Sequence, residues 1–155
     1  MITPLQPKEF FRGTWRGQGE LVPHLLIRWL LPRERIRFST EAIWLSDTVW
    51  VVNDRYEFSS GRVMQKKMFA ELVTPTRIHL TADDMPFGAD ILLHEKGFDF
   101  APYYILAPFG GRLFRLHCFD VCRLDEQGRV HDNLRMYWCG CPVARIYVGP
   151  IERQS

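Results

Sequence analysis

Between Arg33 and Ser46 the chain alternates strictly. Ile36, Phe38, Ala42 and Trp44 fall on one side, Arg35, Arg37, Ser39 and Glu41 on the other. Successive side chains of a strand point to opposite faces, so this is a strand with one face buried. The pattern recurs over Thr48–Phe58, Arg62–Leu72, Arg77–Ala82, Ala89–His94, Phe98–Leu106, Arg112–Leu124, Arg129–Cys139 and Val143–Ile151. Turn signals separate the runs about every ten residues, among them Ser59-Ser60-Gly61, Thr74-Pro75, the loop Asp83–Gly88, Glu95-Lys96-Gly97 and Gly110-Gly111. Residues 1–10, with Pro4 and Pro7, read as an irregular lead-in. His24–Leu31 fits either a short helix or a bent strand extension. About nine or ten strands on short connections and no long helix predict an all-β chain, either a sandwich or an up-and-down antiparallel barrel. A closed barrel removes the edges that such regular strands would expose. With no repeat or linker, residues 1–155 form one domain.

The first strand, roughly Gly13 to Val22, carries a second constraint. Gly13, Trp15, Gly17 and Gly19 share one face; Thr14, Arg16, Gln18 and Glu20 share the other. Glycines inside a strand weaken it, so their clustering predicts a sharp bend or a close approach of another backbone. A barrel's first strand needs both, and Trp15 would plug one end; a plain edge strand is the alternative.

Gly13-Thr14-Trp15 resembles the Gly-x-Trp signature of lipocalin-like (calycin) barrels, and the longer Gly13–Glu20 stretch resembles the opening strand of nitrobindin-type barrels. Near the other end, Phe119-Asp120-Val121, the Gly128 turn, Asn133 and Gly140-x-Pro142-Val143-x-Arg145-Ile146 are similar to the closing pattern of an uncharacterised bacterial family of lipocalin-like domains of unknown function. That family usually carries an aromatic residue where Val121 stands. The resemblance implies a closed lipocalin-like barrel. The nitrobindin-type likeness also raises haem, held by one histidine, but none of His24, His79, His94, His117 and His131 matches a ligating position. No cofactor is expected, with haem as the minority alternative.

Twenty Lys and Arg against eighteen Asp and Glu give a net charge of +2, with no basic run, which argues against nucleic acid as a partner. The apolar stretch around Leu25-Leu26-Ile27 and Trp29-Leu30-Leu31 is interrupted by Arg28 and is too short for a membrane span. The start, Met1-Ile2-Thr3-Pro4, is not a signal peptide, so a soluble cytoplasmic protein with reduced thiols is expected. Cys118 and Cys122 stand about 13 Å apart along an unbroken strand, too far to share one zinc. Cys139 and Cys141 flank a turn, and all four read as small hydrophobes rather than metal ligands.

Asp120 is the informative polar residue, alone in the row Phe114, Leu116, Cys118, Asp120, Cys122, Leu124. A buried carboxylate needs a partner. If Asp125–Gly128 alone forms the loop, Asp120 opposes Asn133, with Arg135 and His131 close by. A register one residue different turns Val130, Leu134, Met136 and Trp138 to this face instead. The cluster would fix the polar end of a ligand, or pin the strand register. Asp54, also on an apolar face, would pair with Lys66. Trp15, Trp44, Trp50, Tyr56, Phe58, Met64 and Met68 line the inner faces of the early strands, as walls of a pocket or as solid core.

The leading expectation is a binding protein for a small apolar or aromatic ligand, contacted by Trp15, Trp44, Trp50, Tyr56, Met68, Asp120, Asn133 and Arg135. No motif of nucleophilic catalysis or phosphate binding is present. An isomerase- or lyase-type enzyme using Asp120 stays open, as does a homodimeric interaction module presenting Leu134, Met136 and Trp138.

Overall fold

The computed structural model describes residues 5–154. Eleven strands run β1 Gly13–Pro23, β2 Glu34–Trp44, β3 Val49–Phe58, β4 Val63–Thr74, β5 Arg77–Ala82, β6 Met85–His94, β7 Gly97–Phe100, β8 Tyr103–Phe109, β9 Arg112–Leu124, β10 Val130–Trp138 and β11 Cys141–Arg153. One helical turn, α1 (Pro7–Phe10), precedes them, and a 3₁₀ turn at Leu25–Ile27 interrupts the β1–β2 connection. The sheet order β10-β11-β1-β2-β3-β4-β5-β6-β7-β9 is closed by pairing of β9 with β10, giving a ten-stranded antiparallel barrel. β8 is the extra strand. It lies along the same edge of β9 as β7, pairing with Arg112–Cys118 where β7 pairs with Val121–Arg123. The single strand expected over Phe98–Leu106 is thus broken at Ala101-Pro102, since proline has no N–H to give a ladder.

Inner faces follow the alternation. Leu21, Ile36, Trp50, Phe58, Met68, Ala70, Ile78, Leu80, Ile91 and Val148 are all buried in one continuous core. Aromatic rings close one end. Trp44 and Trp50 stack with centroids 4.2 Å apart, Phe10 contacts Trp15 and Phe98, and Phe11 lies 6.0 Å from Trp50. Trp44 Nε1 donates to the Phe11 carbonyl at 2.8 Å, and the Arg153 guanidinium donates to the carbonyls of Glu9 and Phe10. Those bonds fasten α1 over that end. The lead-in is therefore a built plug from Pro7 onward; the part before Leu5 lies outside the described residues.

β1 pairs with β2 on one side and β11 on the other, and the β11 register slips between Arg16 and Gly19. A Cβ on Gly19 would fall 1.9 Å from the Tyr147 carbonyl oxygen and 2.7 Å from the Val148 Cα; one on Gly17 would fall 2.8 Å from Ile151. This is the close backbone approach that the glycine spacing predicts.

Gly19→Ala should therefore cost about 3 kcal/mol or more, since the clash is with backbone that cannot rotate away. Gly13→Ala meets no atom but sits at φ 75°, so it should lose about 1 kcal/mol through strain alone. Thermal unfolding followed by circular dichroism ranks the two, and a Gly19→Ala protein melting like the parent would contradict the closure described.

Candidate functional site

Acidic groups gather at mid-height in the barrel. Asp120 comes from β9, Asp132 from β10 and Asp54 from β3. Asp120 is only 7% exposed. Tyr103 Oη donates to its Oδ2 at 3.3 Å, and its Oδ1 is buried with no partner. One carboxylate oxygen of Asp120 and one of Asp132 lie within 4.8 Å of each other, and the Cys122 thiol donates to Asp132 Oδ1 at 3.7 Å. Asp54 bonds to Thr40 across the β2–β3 pair. Tyr56, whose ring lies 4.9 Å from that of Phe38, faces the same space.

Charge in this space is one-sided. Lys66 stands opposite Asp54 in the β3–β4 ladder, as its sequence position predicts, but its Nζ bonds Asp84 at 2.9 Å. Asp54, Asp120 and Asp132 are left with no cation in ion-pair range among the described residues.

Desolvation consequently dominates each of these groups. It lifts the Asp54 carboxyl to about 6 against the Thr40 bond and the field of Lys66. It raises Asp120 despite bonds from Asp132 and Tyr103, and Asp132 rises further because it also feels the Asp120 charge. The Tyr56 and Tyr103 phenols and the Cys122 thiol are pushed well up by the same burial, and Cys118 to about 12. Both carboxyls of this close pair therefore hold their protons to higher pH than free ones do.

The space is not filled. Asp54, Tyr56, Asp132, Lys66 and Phe38 are enclosed by the wall deeply enough for desolvation to control the first three, yet all five are only half-buried by exposed area. Phe38, Tyr56 and Asp132 face inward and keep accessible area, which leaves room beside them in the lumen.

The register differs from the four-residue-loop expectation. Leu124 pairs with Val130 and Asp120 with Leu134. Asp125 is the cause: its side chain accepts from the backbone N–H groups of Gln127 and Arg129 and from Arg129 Nε, so Arg129 joins the turn and the loop has five residues. That single residue sends Asn133, Arg135 and His131 to the outer wall. Arg135 sits 6.0 Å from the Phe119 ring, and His131 bonds Tyr147 and Asp125. Asp132 arrives inside in their place. Leu134 and Met136 also turn inward, leaving only Trp138 of the expected exposed patch in solvent.

Of the other expected ligand contacts, Tyr56 borders the void and Met68 is buried in the core. Trp15, Trp44 and Trp50 belong to the plug, and Trp50 is 1% exposed with its Nε1 unpartnered. The alternative register, read for Val130, Leu134, Met136 and Trp138, did not single out Asp132, which shares their face.

Asp120, Cys122 and Asp132 place one donor atom each within 4.8 Å of one another, a spacing that could hold a metal ion after loss of their protons. The five histidines named for the haem alternative all lie outside the lumen. His79 bonds Asp90 on the outer wall, His94 bonds Arg123, His117 stacks on Tyr104, His131 bonds Tyr147, and His24 caps the 3₁₀ turn.

Two wider concavities lie on the outer wall. One, of about 540 Å³, runs over β1–β4 past Ser39, Asn53, Arg55 and Lys67 and is also lined by Thr40, Asp54 and Lys66. The other, of about 300 Å³, is lined by Tyr104, Arg115, His117 and Tyr137.

No family model and no curated protein matches the sequence. Solved structures share the fold. A protein of unknown function of the DUF3598 family from Nostoc punctiforme superposes with a TM-score of 0.62 at 17% identity, over 98% of this chain and 51% of that one. This chain thus spans about half the length of that protein. Rv2717c from M. tuberculosis superposes with a TM-score of 0.54 at 11% identity, over 97% of each chain. A designed fluorescence-activating β-barrel gives 0.43 at 13% identity, over 97% of this chain and 99% of that one.

Because the folded barrel holds the Asp54 proton more tightly than the unfolded chain does, its contribution is full below pH about 4 and is lost as pH rises to about 6 and beyond. From an ordinary 3.8 to about 6, the loss is roughly 3 kcal/mol. Asp54→Asn should remove that slope, melting higher than the parent at pH 7 but not at pH 4. Equal pH slopes for parent and variant in denaturant titrations would show that the carboxyl is not desolvated.

Proposed function

We propose that the barrel binds a small molecule with an apolar or aromatic body and a basic or proton-donating end, held against Asp54, Asp120 and Asp132. One observation carries the reading: three enclosed carboxyl groups border a void with no cation to meet them, and one oxygen of Asp120 has no hydrogen-bond partner. A ligand ammonium supplies both the missing charge and the missing donor, and loss of a carboxyl proton to solvent lets the pair ionise beneath it. Phe38, Tyr56 and Tyr103 offer ring faces to the body of such a cation.

A second reading is an enzyme in which the Asp120–Asp132 pair acts as acid and base. Their proximity and unequal environments favour it. Asp120→Asn separates the two: it would stop turnover of a reacting ligand while leaving a neutral ligand bound.

Titration calorimetry with phenylbutylamine, phenylbutanol and phenylbutyrate, which share one body, tests the binding reading. The amine should bind at least about ten-fold tighter than the alcohol, and the carboxylate weakest. Asp120→Asn and Asp132→Asn should each cost the amine about ten-fold and the alcohol little. No binding by any of the three, or tightest binding by the carboxylate, would defeat the proposal.

A further inference from the structure

The end of the barrel opposite the plug has a different surface. There the β1–β2 connection folds into a compact projection: Ile27 N–H donates to the His24 carbonyl, the Leu30 and Leu31 N–H groups to the Ile27 carbonyl, and Trp29 Nε1 to the Leu26 carbonyl. His24 N–H is tied to the Val143 carbonyl of β11. Leu31 turns down onto the core, while its neighbours turn out: Leu25 is 63% exposed, Leu26 73%, Trp29 77% and Leu30 44%. Met64 and Trp138, on flanking strand ends, are exposed too. A structured turn with its apolar side chains in water needs a reason, because burial is where such side chains gain free energy.

Charge at this rim is positive. Arg28 rides on the projection itself, and Arg35 and Arg145 stand exposed just below it with no carboxylate in ion-pair range among the described residues. The nearby Glu20 and Glu34 are already engaged by Arg33 and Arg62. The hairpin tips of the plug end carry Asp47, Glu95, Asp125 and Glu126 beside Lys96, while the mouth end adds Asp83 of the β5–β6 turn.

We propose that this rim docks on an anionic lipid surface, with Leu25, Leu26, Trp29 and Leu30 entering the interface and Arg28, Arg35 and Arg145 meeting the headgroups. A tryptophan and leucines on one side with arginines behind them match the two parts of such a surface, apolar below and negative above. A second copy of the chain fits less well: a two-fold contact through this rim would set arginines against arginines. The barrel mouth then faces the bilayer. The proposal does not depend on the ligand in the lumen.

Co-sedimentation with vesicles of phosphatidylcholine, and of phosphatidylcholine mixed with phosphatidylglycerol, tests it on the whole chain. The protein should sediment with the mixed vesicles at low salt and come off as salt rises, with a blue shift of tryptophan emission that Trp29→Phe abolishes. Leu25→Ser with Leu26→Ser should weaken binding about ten-fold or more, and Arg28→Glu should weaken it on anionic vesicles only. All these side chains are exposed, so the variants should melt like the parent, and circular dichroism checks that they fold. Failure to sediment with either vesicle, undiminished binding by the double serine variant, or a dimer in sedimentation velocity that Leu26→Ser dissolves would each overturn the proposal.

Discussion

Gly19 lets β1 lie so tightly on β11 that a single added methyl would sit 1.9 Å from a carbonyl oxygen. Because of that contact, β1 bends across the barrel and keeps ladders with both β11 and β2. Closure by the β9–β10 ladder then leaves no free edge in the ten-strand ring. A closed ring of this size has a narrow interior, and narrowness is what isolates Asp54, Asp120 and Asp132 from bulk water. The chemistry of the lumen is thus a consequence of how closely two backbones can approach at one glycine.

Two electrostatic regimes follow from that geometry. On the outer wall, Asp90 and Asp99 are held below the ordinary carboxylate range by bonds from His79 and Arg123 respectively. Such exposed pairs contribute about 0–1 kcal/mol each. Inside, Lys66 is taken by Asp84 of the β5–β6 turn, and Asp54, Asp120 and Asp132 face loss of hydration with hydroxyls and one another as neighbours. Desolvation outweighs those hydrogen bonds in every case. A core retaining such groups gives up stability that three apolar residues would supply, a cost found where polar groups serve binding or chemistry.

The barrel was legible in the sequence because period-two alternation and turn residues act locally. Ile36, Phe38, Ala42 and Trp44 need only the pleat to reach one side, and the glycine spacing announces a close contact without saying with what. The site was not legible to the same degree, because it depends on loop length. Asp125 draws Arg129 into its turn through two side-chain hydrogen bonds, with a third from Gln127 N–H, and the added residue exchanges Asn133 and Arg135 for Asp132. Asp125 carried a signal, since aspartate at the start of a turn commonly accepts from backbone N–H groups two to four residues on. Plug and pocket were also inseparable by alternation alone. Trp15, Trp44 and Trp50 project inward as Tyr56 does, but their height along the barrel is set by strand stagger, which no local pattern records.

The two ends differ in what it takes to open them. Passage past the plug would unstack Phe10, Phe11, Trp15, Trp44, Trp50 and Phe98 and break the bonds of Trp44 and Arg153 to α1. Aromatic contacts of this kind contribute about 0.5–1.5 kcal/mol each beyond their burial, so the sum is large against the stability of a domain. At the mouth, the β1–β2 turn commits a half-buried Leu31 to the core, while Leu25, Leu26, Trp29 and Leu30 already stand in solvent. Lifting that turn forfeits about one side chain's burial, on the order of 2 kcal/mol. A lower barrier at one end makes the barrel a cup rather than a pipe: under the proposed function a ligand would enter by the mouth, meet Tyr56 and the aspartates, and stop at the stacked tryptophans.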